Sequence, residues 1–416
     1  MSPWICGPSH KEAVGEAIVQ LGHPLDALPE REGILDTLYR LTDRGAPLLI
    51  NLWGGQLWKE RAQVPSLRAA DLKRLKPGFA GFLEDAWLPE QGTIWKDQGL
   101  EIHPDDLRRL LRLLALARGP LRLEDLLALM ERLAFPEHWN LVHTRKVLDS
   151  AFRLVVPAVD SEVGEKGYAF VHPLLGDHFR TELKTIKEER YAIPRAYLNW
   201  GAAVVATLNA GNLPPEQCPA YLLRHYVDHV LAADLDPDEA LDRYLLPLLG
   251  QGWHRAWHEE EGAYGGYLTD IRRIQDQLHK ADTNDAGPLR YLGQTLRCAL
   301  IRSGIHSRME KIPAELILAL MEAGERSVQR AIRVTAQLAD PEVRAQAYSK
   351  LARQLQGERR RQCLHQALVT ATNIGDEWSR AYALMAMIGQ LEGEEHRQCL
   401  RQALVANRYW QSTTMD

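Results

Sequence analysis

His254 and His258 stand four residues apart, so a helix through them aligns both imidazoles on one face, as a zinc site requires. No third ligand is apparent, and Trp253 and Trp257 beside them point to a packed helix with polar edges. Asp234, Asp236 and Asp238 alternate like the opening of a calcium loop. The sixth position of that loop, however, is Glu239 where glycine is needed, and the twelfth is Leu245 where glutamate is needed, which argues against calcium. No Gly-Lys dipeptide occurs, so a GxxxxGK[ST] phosphate loop is impossible, and no GxGxxG opens a helix after a strand. HExxH and GxSxG are absent as well. No catalytic or metal-binding residues are therefore expected, and this chain alone is not expected to hydrolyse a nucleotide; a dispersed site is left open without support.

One stretch carries unbalanced charge. Between Arg330 and Arg361, Arg330, Arg333, Arg344, Lys350, Arg353, Arg359, Arg360 and Arg361 face only Asp340, Glu342 and Glu358, a local charge of +5. A solvated helix face explains this most simply; the alternative is a surface for an acidic partner or a phosphate backbone. Arg344, Arg353, Arg360 and Arg361 are the candidate partner-binding residues, because guanidinium groups make bidentate contacts and stack on aromatic rings.

The elements that must position these side chains are helices. Apolar residues recur at spacings of three and four, as in Leu107, Leu110, Leu111 and Leu114 and again in Leu123, Leu126, Leu127 and Met130. Strand-like sequence is scarce. The best pair is Leu154-Val155-Val156 and Tyr168-Ala169-Phe170-Val171, separated by a polar turn containing Gly164 and Gly167, which predicts one hairpin. Helical stretches from Pro104 to Met130 and near Val142 to Phe152 precede it, and helix, helix, helix, strand, strand is the order of a winged helix. From 190 to 325 many aromatics, including Tyr191, Tyr197, Trp200, Tyr221, Tyr226, Tyr244, Trp253, Trp257, Tyr264 and Tyr267, fall at helical spacing and read as core, while Pro214-Pro215, Pro219, Pro237 and Pro247 divide the region into short helices.

The C-terminal part repeats itself with an offset of 36 residues. Arg344-Ala345, Leu355, Gly357 and Arg361-Gln362-Cys363-Leu364 return as Arg380-Ala381, Leu391, Gly393 and Arg397-Gln398-Cys399-Leu400, and Asp340 returns as Asp376. Such a period implies stacked helical hairpins. Ala345, Ala347, Ala381 and Ala383 sit where paired helices approach closely, much as in tetratricopeptide repeats, although that consensus is absent. Two units are few for an independent solenoid, so they are expected to dock on the preceding helices or on another chain.

Composition sets outer bounds. At about 150 residues per domain, 416 residues allow two to four domains. With 45% hydrophobic and 25% charged residues and dispersed Gly and Pro, the chain is neither disordered nor fibrous. A formal charge of −5 removes the field that a non-specific nucleic-acid binder needs. Five cysteines without a CxxC pair fit a reducing cytosol, and neither a leader nor an apolar run of membrane length is seen, so a soluble, cytoplasmic protein is expected.

Leu38-Tyr39-Arg40-Leu41-Thr42-Asp43-Arg44-Gly45-Ala46-Pro47-Leu48-Leu49-Ile50-Asn51-Leu52 resembles the lid segment of STAND ATPases, the NACHT and NB-ARC signalling relatives, which carry Gly-x-Pro before an apolar helix. Tyr168-Ala169-Phe170-Val171-His172-Pro173-Leu174-Leu175-Gly176-Asp177-His178-Phe179 is similar to the end of that family's winged helix. The likeness continues through Leu296–Arg302, Lys311–Leu316 and Ile374–Ala381. The resemblance implies that Gly45 and Pro47 lie near an adenine base and that His172 reaches a bound ADP. A buried histidine satisfied by the backbone reads the same way in sequence. The phosphate loop and the Walker B aspartate strand of the family are missing; Val155-Val156-Pro157-Ala158-Val159-Asp160 mimics the latter only superficially, because a proline interrupts the would-be central strand.

What the resemblance implies is a regulatory C-terminal portion of a STAND protein without its motor: a truncated gene, an excised fragment or a free-standing derivative. The expected organisation is a lid-like helical remnant over 1–62, a helical connector over 63–100, a winged helix over 101–185, a helical arm over 186–329 and tetratricopeptide-like repeats over 330–416. The expected fold class is thus mainly α, with a short β-hairpin in a winged helix followed by an irregular helical domain and α-hairpin repeats. The implied role is a non-catalytic sensor or scaffold that recognises a protein partner or ligand through its repeats, as family members do in defence against phage, with ADP or ATP entering only through an ATPase module supplied elsewhere. The competing reading is a winged-helix transcription regulator with its recognition helix near Val142 to Phe152. His143, Arg145, Lys146 and Arg153 would serve it, whereas Leu141, Val142, Val147 and Leu148 point to burial.

Overall fold

The computed structural model describes residues 11–23, 25–58, 68–100, 102–159, 166–284, 290–309, 317, 325–338, 340–391 and 393–413. Gly164, Asp160 and the Lys311–Leu316 segment lie outside the described residues, as do residues 1–10. The fold is mainly helical with one short β-hairpin. It divides into two compact units, Met1–Tyr197 and Leu198–Asp416.

In the first unit, α1 (Lys11–Gln20), α2 (Arg31–Leu41) and α3 (Pro47–Leu57) pack on one another around the buried Ile18, Leu35, Leu38 and Trp53. Arg40 ties α4 (Ala69–Lys73) to α2 by donating to the carbonyls of Leu72, Lys73 and Leu75 at 3.2, 3.3 and 3.0 Å. Next, α5 (Gly78–Gly81) runs through a π-helical segment, Phe82–Trp87, into α6 (Leu88–Asp97). Phe82 meets Trp53 edge to face, and Trp87 meets Trp95 likewise, so aromatic packing closes this core.

Helices α7 (Pro104–Leu116), α8 (Leu123–Arg132) and α9 (Leu141–Ser150) precede the antiparallel strands β1 (Val155–Val159) and β2 (Lys166–Phe170), which pair Val155 with Phe170 and Val159 with Lys166. Leu121, between α7 and α8, bridges to Tyr168. In α7 Leu107, Leu110, Leu111 and Leu114 are buried as the period requires; in α8 Leu127 is only half-buried and Leu129 fills the core. Pro157 sits inside β1 opposite Tyr168 without ending the strand, because a two-stranded sheet has no central strand to interrupt. Gly167, expected in the turn, belongs to β2. On α9, Val147 and Leu148 are buried, whereas Leu141 and Val142, expected inside, face solvent in its first turn. The α10 helix (Pro173–Thr185) packs on α7, with Phe179 stacked on Phe170.

The unit boundary falls within α11 (Lys187–Asn209). In the second unit α12 (Ala220–Ala232), the single turn α13 (Pro237–Glu239), α14 (Gln251–Glu261), α15 (Gly265–Asn284) and α16 (Leu292–Met309) follow. Pro215, Pro237 and Pro247 stand in first turns, where no donor is required, and Pro219 caps α12. Trp200, Tyr221, Tyr226, Tyr244, Trp253, Trp257 and Tyr267 are buried as expected, as is Tyr197 in the first unit. Tyr191 is not: it faces solvent under the Arg190 guanidinium, 5.4 Å from its ring centre, and Tyr264 is half-buried.

Then come α17 (Glu325–Ala336), α18 (Pro341–Gln354), α19 (Gly357–Thr372), α20 (Glu377–Ile388) and α21 (Gly393–Thr413). α18 pairs with α19 and α20 with α21, and α20 also packs on both helices of the first pair. Repetition in sequence is repetition of structural devices. Asp340 caps α18 by accepting from the Glu342 N–H at 2.8 Å, and Asp376 caps α20 by accepting from the Ser379 N–H at 2.7 Å. Arg344 donates to the Leu338 carbonyl at 2.6 Å, and Arg380 to the Ile374 carbonyl at 3.0 Å, each clamping the loop before its own helix. Gly357 and Gly393 both turn the chain at φ near +60°, which a side chain disfavours. Cys363 and Cys399 are buried free thiols facing the partner helix, and the four alanines are buried. Buried Ala331, Thr335 and Leu338 stand where Ala367, Ala371 and Ile374 recur, so α17 supplies an earlier half-unit.

Candidate functional site

Gly45 and Pro47 are brought together in a cleft of about 350 Å3 between α1 and α3. Thr42 to Ala46 forms a tight loop that needs positive φ at Asp43, Arg44 and Gly45; Gly45, at φ 99°, takes the extreme value. Pro47 then occupies the first turn of α3, where its missing N–H costs nothing. Ala13, Val14 and Ala17 of α1 supply the opposite wall, and Leu21 and Ile50 complete an apolar lining whose polar groups are Gln20 and Asn51. The cleft can hold a flat apolar group, and none of its described lining residues is a cation that could meet a phosphate.

His172 does not line this cleft. It caps α10, its Nδ1 accepting from the Leu174 N–H at 3.2 Å, with Pro173 in the first turn. His103-Pro104 does the same for α7, with His103 Nδ1 accepting from the Asp105 N–H at 3.3 Å. The His-Pro pair is thus a helix-start device used twice, and it leaves Nε2 of His172 for any other contact.

The four repeat arginines separate into two kinds. Arg344 is half-buried in its carbonyl clamp. Arg353 lies beside the Gln390 amide, which, oriented with its oxygen toward α18, accepts from Arg353 Nε at 3.2 Å and Ser349 Oγ at 2.7 Å. Arg360 and Arg361 stand in solvent on α19, Arg361 paired with the exposed Glu358.

A feature that charge patterning does not reveal lies on the last helix pair. Trp378, Tyr382 and Met385 of α20 and Leu400 and Leu404 of α21 are exposed together, Trp378 and Tyr382 stacked with ring centres 5.6 Å apart. The signal was present in the repeat: at the 36-residue offset Glu342, Gln346 and Ser349 become Trp378, Tyr382 and Met385.

His254 and His258 flank the Tyr264 ring, with centroids at 5.3 and 5.2 Å, and burial lowers the pKa of both. Asp236 caps α13, and Asp238 accepts from Tyr291 Oη at 2.9 Å and pairs with Arg290. Among the described residues no group of three or more His, Cys, Asp or Glu side chains is placed to hold a metal ion. No helix among them is long and apolar enough to cross a membrane.

Known proteins match this chain neither as a family, nor as a curated relative, nor as a solved structure.

Proposed function

We propose that this chain is a non-catalytic, cytoplasmic sensor or scaffold that recognises a protein partner or ligand through its C-terminal helical pairs, in the manner of the regulatory part of a bacterial STAND protein active in antiphage signalling. The observation that carries the reading is the stack α18 to α21, with repeated caps and clamps that hold a fixed surface from which Arg360 and Arg361 project. The cleft of Gly45 and Pro47 supports the lid comparison, as an apolar slot at the start of a proline-initiated helix. An ATPase or effector module acting on this chain would be supplied by another protein.

The test is capture of a native partner by the tagged full chain. Reversing the charge of Arg360 and Arg361 is expected to abolish capture while leaving the melt within a few degrees, as for surface substitutions of about ±0.5 kcal/mol. Unchanged capture, with removal of residues 330–416 equally harmless, would move the surface to the arm at 186–329.

One observation favours the DNA-binding alternative: Val142, Arg145 and Lys146 all face solvent on α9, the position of a recognition helix. Arg153 does not join them, since it donates to Gln56 Oε1 and the Gly55 carbonyl, both at 2.8 Å. A specific gel shift surviving at physiological salt and lost on replacing Arg145 and Lys146 would establish this alternative in place of the sensor.

A further inference from the structure

We infer that the open face of the last helix pair is a self-association surface, on which a second copy of this chain docks by the same face about a two-fold axis. The internal repeat provides the standard for reading that face. In the preceding pair, Ser349, Leu364 and Leu368 are 3%, 6% and 8% exposed, and α20 covers them; their counterparts Met385, Leu400 and Leu404 are 51%, 39% and 51% exposed. Ser349 faces the next pair directly, since its Oγ is 2.7 Å from the Gln390 amide. Met385 therefore occupies the position from which one repeat contacts the next.

An outer repeat is normally polar on its free side. Here the substitution runs the other way, Glu342, Gln346 and Ser349 giving place to Trp378, Tyr382 and Met385, residue types enriched in protein interfaces. A patch of this kind marks an interaction surface.

Which occupant it takes follows from the other end of the stack and from charge. The α17 end is already engaged within its own unit: Arg330 donates to the Gly262 carbonyl at 3.1 Å, and Gln337 Oε1 accepts from the Tyr264 N–H at 2.8 Å. A second copy thus offers no free leading face for head-to-tail stacking, and the face left to it is the same one. Like faces can meet because the charged groups beside the patch are already paired within each chain. Glu394 pairs with Arg397 at 2.8 Å and with Arg401 at 3.2 Å, and Arg380 with Glu377 at 3.7 Å. Two-fold pairing through one self-complementary patch is also the commonest closed assembly.

The inference concerns the apolar end face, not the arginines of α19, and it stands or falls without the partner reading. Sedimentation equilibrium of the full chain across the micromolar range tests it. The 47.1 kDa chain is expected to pass from monomer to dimer. Met385→Glu combined with Leu404→Glu should hold it monomeric, and so should Tyr382→Arg, which keeps the test valid if the double variant loses its helical circular dichroism. Val369→Glu, at an apolar position that is exposed although its repeat is covered, should dimerise like the parent. A parent that stays monomeric, a folded Tyr382→Arg variant that dimerises unchanged, or growth beyond the dimer would each overturn the proposal.

Discussion

Trp257 donates its indole N–H to Asp270 Oδ2 at 2.9 Å, and Trp253, one helical turn earlier, donates to the same oxygen at 3.0 Å. The i, i+4 pair that α14 presents to a polar group is thus a pair of tryptophans, while the interleaved histidines flank a tyrosine. Burial pushes the Asp270 carboxyl up to about 7, outweighing both indole donors and the more distant Arg273. An acid raised in the folded state stays protonated there while its unfolded counterpart ionises near its ordinary value of 3.8. Its contribution to stability is therefore greatest below that value, falls as pH rises toward 7, and is constant beyond. Asp270→Asn keeps an acceptor and cannot ionise. Its urea midpoint relative to the parent should be higher at pH 8 than at pH 5, and parallel profiles would sink the argument.

Arg112 is a buried and heavily engaged charge of the first unit. Its guanidinium grips Glu189 through Nε at 2.6 Å and Nη2 at 2.9 Å and reaches Glu182 at 2.7 Å, joining α7 to α10 and to the start of α11. Arg112→Ala leaves two partly buried carboxylates with only the looser contacts of Arg109 to Glu189 and His178 to Glu182, each at 4.0 Å, and should cost about 3 kcal/mol. Arg112→Lys should recover little, because an ammonium cannot make the forked contact. Urea titration of both variants decides this, and a loss below about 1 kcal/mol for alanine would refute it.

Arg344 and Arg360 should behave oppositely in a thermal melt. Removing the Arg344 clamp on the Leu338 carbonyl is expected to cost about 1–2 kcal/mol. Arg360→Ala, at an exposed position, should leave the transition in place within about 0.5 kcal/mol. Equal losses would mean that the two guanidinium groups do the same work.

Among the described residues that line it, the cleft beside Pro47 has mostly apolar groups and no cation, so phosphates are expected to add nothing to binding there. Adenosine and ADP are expected to bind equally weakly, with Kd of about 1 mM or above by calorimetric titration. A micromolar Kd for ADP, lost on replacing Ala17 by Phe to fill the slot, would contradict this.

Much of the local structure was legible. The period of Leu107 to Leu114 predicts α7, the β-branched and aromatic runs at 154–156 and 168–171 predict the hairpin, and the 36-residue repeat predicts paired helices, whose starts the structure shows capped by the recurring Asp340 and Asp376. The candidate site was legible only in part. Gly45 and Pro47 do share a cleft, but its other wall is α1, some thirty residues earlier in sequence, and no local pattern announces it. His172 reads as a ligand or as a satisfied histidine until its backbone partner is known, and that partner is the Leu174 N–H.

What the sequence by itself determined is what short-range chemistry controls: where helices start, which stripe they bury, and how often the pattern returns. Tertiary structure alone decided what each repeated position does. Arg344 and Arg360 are the same residue type within one basic stretch, yet a carbonyl lies within reach of the first and solvent surrounds the second. Leu364 and Leu400 are the same residue in the same motif, yet one is covered by the next helix pair and the other is open. Exposure depends on which element packs across a face, a contact between residues distant along the chain, and propensity and periodicity, which act within a few residues, carry no record of it.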